Sequence, residues 1–191
     1  MIRRPPRSTQ GVSSAASDVY KRQGRIGRAV AARAPAFGME VVFASRSRET
    51  VVASEKCLMP LDELLVTSDI VSLHVPLKPE TRHLINRQTL ARMKRSAYLI
   101  NTARGPVVDE EALNWALDER LIAGVALDVF EREPEVHQGL LQRSNVVLVP
   151  HLGSATHETR VAMADLAARN VEAVLQGRPP LTPVMQADTK S

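Results

Sequence analysis

An α/β fold with a doubly wound parallel sheet is predicted by three features of the sequence. Short apolar runs alternate with stretches of helical periodicity across residues 24–176. The runs are apolar throughout, as in strands covered on both faces, rather than alternating polar and apolar. A glycine pair, Gly24 and Gly27, opens the first helical stretch, where a chain turning from a strand into a helix needs compact residues.

Each element follows in order. Residues 28–37 have apolar positions at helical spacing, and Gly38 ends them as a helix-terminating glycine does. Val41, Val42, Phe43 and Ala44 form a β-rich run, read as a buried strand. Residues 61–66 read as a short helix, 70–75 and 97–100 as strands. Residues 109–119 are a helix with Asp109 near its N-cap and Leu113, Ala116 and Leu117 on one face. Residues 125–129 and 146–149 are two more strands. A long helix over 155–176 ends at Gly177, with Pro179 and Pro180 beyond it. No internal repeat is visible.

Composition narrows the function. The chain has 191 residues, 44% hydrophobic but only 3% aromatic, so its core should be aliphatic. No run of about 18 apolar residues suggests a membrane span. The single Cys57 excludes an internal disulfide framework and a cysteine zinc site, so no metal is expected. One cysteine and no secretory h-region fit a cytoplasmic setting. The net charge of +4 has a local origin. Arg3, Arg4, Arg7, Lys21 and Arg22 stand against one acid, Asp18, in residues 1–23, leaving 20 basic and 20 acidic residues in 24–191. A neutral body without a basic stripe argues against nucleic acid as a partner.

Residues 1–23 are rich in Pro, Ser and Arg and lack an apolar period. They are expected to be disordered, to make no sheet contacts, and to be a foreign leader resembling a translated cloning scar. The domain plan is therefore this leader, a dinucleotide-binding domain over 24–153, and a C-terminal helix and tail over 154–191.

Gly24-Arg25-Ile26-Gly27 matches the end of the G-x-G-x-x-G fingerprint of Rossmann-type sheets. Its middle glycine lets the backbone approach a pyrophosphate, its last one brings helix and strand close, and the helix N-terminus favours the anion. Lys21-Arg22-Gln23 stands where the first glycine and the preceding strand belong, so the sheet is expected to lack its first strand, a central one in a 3-2-1-4-5-6 order. At the end of the second strand an acid would bind the adenosine ribose, but Ser45 and Arg46 occupy that place. This is the NADP pattern, so NADP is expected in preference to NAD.

Three longer segments carry more information. One runs Thr67-Ser68-Asp69-Ile70-Val71-Ser72-Leu73-His74-Val75-Pro76. The next runs Ala97-Tyr98-Leu99-Ile100-Asn101-Thr102-Ala103-Arg104-Gly105. The last joins Ala126-Leu127-Asp128-Val129-Phe130-Glu131-Arg132-Glu133-Pro134 to Pro150-His151-Leu152-Gly153-Ser154. Together, across residues 24 to about 185, they resemble the D-2-hydroxyacid dehydrogenases, which include glyoxylate/hydroxypyruvate reductases and phosphoglycerate dehydrogenases.

The resemblance implies an NAD(P)-dependent oxidoreductase acting on small 2-keto or 2-hydroxy acids, with a homodimeric full-length parent. It implies Arg104, Glu133 and His151 as the catalytic trio. It adds Val75, Pro76, Thr102, Ala103, Asp128, Gly153 and Ser154 to Gly24, Arg25, Ile26, Gly27, Ser45 and Arg46 as cofactor-binding positions. The chemistry suits these residue types. Reduction of a ketone leaves charge on oxygen, and a histidine titrates where it can donate the proton. A neighbouring carboxylate favours the imidazolium. An arginine offers a planar fork for a carboxylate and a carbonyl. His74, His83, His137 and His157 are read as structural. The family's substrate domain is expected to be mostly missing, which leaves the acid substrate open and makes the chain a fragment with little turnover. A dinucleotide-sensing binding protein of the corepressor type stays open as the alternative. A methyltransferase is disfavoured by Asn101-Thr102-Ala103-Arg104-Gly105.

Overall fold

The computed structural model describes the main chain of residues 12–15, and residues 25–44 and 58–183. Contacts divide the chain into two units, Met1–Pro150 and His151–Ser191.

Among the described residues of the first unit, six parallel strands form one sheet in the order β2-β1-β3-β4-β5-β6. They are β1 (Val12–Ala15), β2 (Val41–Ala44), β3 (Ile70–Leu73), β4 (Tyr98–Asn101), β5 (Gly124–Leu127) and β6 (Val146–Leu148). A parallel bridge from Phe43 to Leu58 extends the pairing beyond β2. The helices are α1 (Arg25–Arg33), α2 (Leu61–Thr67), α3 (Arg87–Leu90) and α4 (Glu110–Asp118). The doubly wound α/β class and the positions of β2 to β6 agree with the sequence pattern.

One expectation is corrected. The sheet does not lack its first strand, and residues 1–23 are not free of sheet contacts. Val12–Ala15 fills the slot between β2 and β3, with Val12 opposite Val41 and Ile70, and Ala15 opposite Ala44 and Leu73. Composition predicts no strand there, because one Val among Ser and Ala has little burial to offer. The competing term is the main chain itself. Without a strand in this slot, β2 and β3 would each present a row of unpaired N–H and C=O groups, and orphaned groups of that kind cost about 1–3 kcal/mol each. Residues 1–11 and 16–24 lie outside the described residues, as does the disorder expected of them.

Local chemistry sets the helix ends. α1 passes into a 3-10 turn at Ala34–Phe37, and Gly38 follows at φ 73 with its N–H bonded to Pro35 O. That left-handed conformation suits a residue without a Cβ. The Asp109 carboxylate accepts from the Ala112 N–H at 3.0 Å and caps α4. α3 was not legible as a helix because it is four residues long. It is held by a reciprocal cap in which Asn86 accepts from the Thr89 N–H and Thr89 accepts from the Asn86 N–H.

The core is aliphatic, as the scarcity of aromatics predicts. Leu64, Leu65, Val71, Leu73, Ile85, Leu90, Leu99, Leu113 and Leu127 are fully buried or nearly so, between the sheet and α2, α3 and α4. Each such side chain contributes about 1.5–3 kcal/mol through burial.

The second unit is α5 (His157–Leu175) and a return segment. Thr156 caps the helix through the Thr159 N–H, and Gly177 at φ 71 follows its end. Asn170 ties the return segment down: its side-chain oxygen accepts from the Thr182 N–H at 3.1 Å. No described helix is long and apolar enough to cross a membrane.

Ser14→Pro removes a main-chain donor from a strand paired on both sides. It is expected to lower stability by about 1–3 kcal/mol. Thermal unfolding measures this, and an unchanged midpoint would contradict the central position of β1.

Candidate functional site

The chain leaves β1 for β2 on one side and returns to β3 on the other. The strand order therefore reverses at β1 and β3, and open α/β sheets bind ligands at the carboxyl ends of the strands at such a point. A cleft of about 1050 Å³ lies there. α1 lines it with Arg25, Ile26, Gly27, Ala29, Val30 and Arg33. The segment after β3 contributes His74, Val75, Pro76 and Leu77, and that after β4 contributes Thr102, Ala103 and Arg104.

Three features of these walls suit a dinucleotide. The first turn of α1 carries no acidic side chain, so no carboxylate of its own opposes the positive end formed by its leading N–H groups. Gly27 is buried, and a Cβ there would lie 3.3 Å from the His74 Cβ. Helix and strand approach this closely because no side chain intervenes. The cleft is also larger than a single small acid needs.

The β4 turn is built around Asn101, which is fully buried. Its side-chain oxygen accepts from the Ala103 N–H at 3.0 Å, and its amide donates to Arg104 O at 3.1 Å. The Asp128 N–H donates to Asn101 O at 3.0 Å, tying the ends of β4 and β5 together. Arg104 is exposed at the rim, with Nη1 donating to Ala103 O at 2.6 Å. Gly105 follows in van der Waals contact with the main chain of Phe130 and Glu131. A Cβ there would fall 1.7 Å from Phe130 O, so only glycine fits.

The structure brings Arg25, Ile26, Gly27, Val75, Pro76, Thr102, Ala103 and Arg104 to one cleft. Asp128 is buried just beyond β5 and does not line it. Glu133 is exposed on the loop after β5, also away from the cleft walls, and its Oε1 accepts from the Phe130 N–H at 3.1 Å. His151, Gly153 and Ser154 belong to the second unit. His151 stands at φ 54, a left-handed conformation that non-glycine residues adopt at some cost and that gathers at functional sites. Gly24, Ser45 and Arg46 lie outside the described residues. Among the described residues no His, Cys, Asp and Glu cluster could hold a metal ion.

His74, read from the sequence as structural, also lines the cleft. Its Nε2 is 2.9 Å from the Ser72 hydroxyl, and burial pushes its pKa down. Burial thus disfavours the charged form of a ring that lines the cleft. The available signal was its position, a polar residue just past the end of a strand.

Fold and cleft together define a dinucleotide-binding domain of the Rossmann type. Residues 23–153 match the family described as "D-isomer specific 2-hydroxyacid dehydrogenase, NAD binding domain", and the chain belongs to that family. It is 52% identical over 173 residues to glyoxylate reductase of Thermococcus onnurineus, a match covering 86% of this chain and 52% of that protein. It is 54% identical over 162 residues to glyoxylate reductase of Thermofilum pendens, covering 82% and 48%. Among solved structures, it is similar to NADPH-dependent glyoxylate/hydroxypyruvate reductase of Sinorhizobium meliloti in complex with NADP and malonate. The TM-score is 0.81 at 37% identity, over 93% of this chain and 53% of that one. The chain spans about half the length of the curated relatives it matches.

Burial lowers the His74 pKa, so at mildly acidic pH this ring binds a proton less readily in the folded chain than in the unfolded one. Stability should therefore fall as pH drops below about 6.5, the ordinary histidine value, and go on falling until the folded-state pKa is passed. His74→Gln should flatten that slope. Unfolding midpoints from about pH 8 to 5 measure it, and equal slopes for the two proteins would contradict the assignment.

Proposed function

We propose that this chain is the dinucleotide-binding part of an NADPH-preferring reductase of small 2-keto acids, of the glyoxylate/hydroxypyruvate reductase type. The observation that carries the reading is the cleft at the topological switch point, with Arg104 at its rim beside Thr102 and Ala103. Glyoxylate reductases at about half identity support the substrate class.

The N–H groups of Arg25, Ile26 and Gly27 hold the pyrophosphate, together with Gly24. Ser45 and Arg46 receive the 2′-phosphate, for which a guanidinium is suited and an acid is not. Val75, Pro76, Thr102, Ala103 and Asp128 serve the nicotinamide end, with Gly153 and Ser154. When bound, the reduced dinucleotide supplies the reducing equivalent. Arg104 grips the carboxylate and carbonyl of the keto acid, lowering the cost of charge that builds on oxygen. His151 donates the proton to that oxygen, and Glu133 favours the protonated ring. On this reading turnover requires the complete enzyme, in which a substrate domain accompanies the cleft.

Cofactor preference tests the adenosine end. In the complete enzyme Arg46→Ala should lower kcat/KM with NADPH and spare NADH; equal losses would sink the assignment.

Proton donation tests the other end. His151→Gln should lower kcat about a hundredfold or more while dinucleotide affinity persists. A kcat within a few-fold of the parent would remove His151 from the mechanism.

A further inference from the structure

Outside the cleft, two segments, the Arg82–His83 turn and the start of α4, converge on a second carboxylate of the β5 loop, Glu131. Its side chain is mostly buried, 18% exposed, whereas Glu133 two residues on is exposed. Glu131 Oε1 lies 2.7 Å from His83 Nε2 and accepts from Arg82 Nη2 at 3.2 Å. Its Oε2 accepts from the Glu110 N–H at 3.3 Å, and the Glu110 carboxylate accepts from the Glu131 N–H at 2.7 Å. The two glutamates thus exchange main-chain hydrogen bonds between the start of α4 and the β5 loop. His83 closes the circuit. It sits at φ 49, and its N–H donates to Pro106 O at 2.9 Å, two residues beyond Arg104.

We propose that Glu131 is a positioning residue: it latches the loop bearing Glu133 to the α4 N-terminus and to the His83 turn, and so sets Glu133 relative to Arg104. The inference rests on the catalytic reading of Glu133 given above. The geometry makes the coupling direct. Gly105 packs on the Phe130 carbonyl, so the β4 and β5 loops meet backbone to backbone with no slack. Glu133 is in turn held by the Phe130 N–H. The peptide carrying the Phe130 carbonyl is also the one whose N–H, on Glu131, is bonded to Glu110. Losing the Glu131 carboxylate removes the loop's bonds to Arg82, His83 and the Glu110 N–H and leaves the Glu131 N–H bond to Glu110 in place, so the adjacent Phe130 N–H that anchors Glu133 is held less firmly. Solubility alone would not explain an acid tucked among three partners, since an exposed carboxylate on this loop would serve as well.

The test compares Glu131→Ala, Glu131→Gln and Glu133→Gln in the complete enzyme. Glu131→Ala should lower kcat by roughly ten- to a hundredfold, the scale of an ångström-size misplacement. It should move the pH at which reduction fades downward, as Glu133→Gln does, and leave dinucleotide affinity unchanged. The double variant Glu131→Ala/Glu133→Gln should shift the profile no further than Glu133→Gln alone. Glu131→Gln keeps an acceptor oxygen and should recover most of kcat. If Glu133→Gln shifts the profile and Glu131→Ala does not, the positioning role is overturned while the catalytic reading stands. If neither shifts it, the role of Glu133 fails and the proposal fails with it. Hydrogen exchange gives a reading independent of turnover: the Phe130 amide should exchange faster in Glu131→Ala, and unchanged protection overturns the proposal. Should Glu131→Ala not fold, His83→Gln loosens the same carboxylate and carries the same comparison.

Discussion

The arrangement depends first on the main-chain ladder of β1. A parallel strand with neighbours on both sides satisfies its own N–H and C=O groups and theirs. Its register joins β2 to the rest of the sheet through Val12, opposite both Val41 and Ile70. The order β2-β1-β3 also forces the chain to wind in opposite directions from one place. A crevice at the carboxyl ends follows from that topology rather than from any single side chain.

The walls of the crevice are then set by close backbone approaches. Gly27 lets α1 lie against His74, and Gly105 lets the β4 turn lie against Phe130. Buried polar groups fix what the glycines leave free. Asn101 shapes the turn that presents Arg104, and Glu110 and Glu131 lock the loop of Glu133. Each is hydrogen-bonded, as a polar group removed from water must be if it is not to destabilise the fold. Charge is set locally too: the first turn of α1 carries no acid, and burial disfavours the charged form of His74, the one histidine among the residues named as cleft walls.

Much of this was legible in the sequence, and the rest was not for physical reasons. β2 was readable to the residue, because Val41, Val42, Phe43 and Ala44 form a buried apolar run between polar neighbours. Asp109, Gly38 and Gly177 announced helix ends through their capping chemistry. Gly27 was found through motif spacing and Thr102, Ala103 and Arg104 through the family resemblance, and the structure gathers them in one cleft. β1 was missed because the reason for it lies in neighbouring strands, not in its own composition. Glu131 was passed over because three acids crowd residues 131–135, and only their partners distinguish them. His74 was read as structural because it sits in no motif that fixes a histidine there, although the resemblance puts its position near the cofactor cleft. Gly105 was quoted only within a motif; its role is a contact with Phe130, 25 residues away.

The central claim is that the switch-point cleft is a dinucleotide site. Amide chemical shifts during an NADP titration test it most directly. Saturable changes at residues 25–27, 74–77 and 102–104, with little change along β6 or at the Glu110–Glu131 latch, are the predicted result. No saturable change at millimolar NADP, or changes confined to residues away from α1 and the β3 and β4 ends, would contradict it.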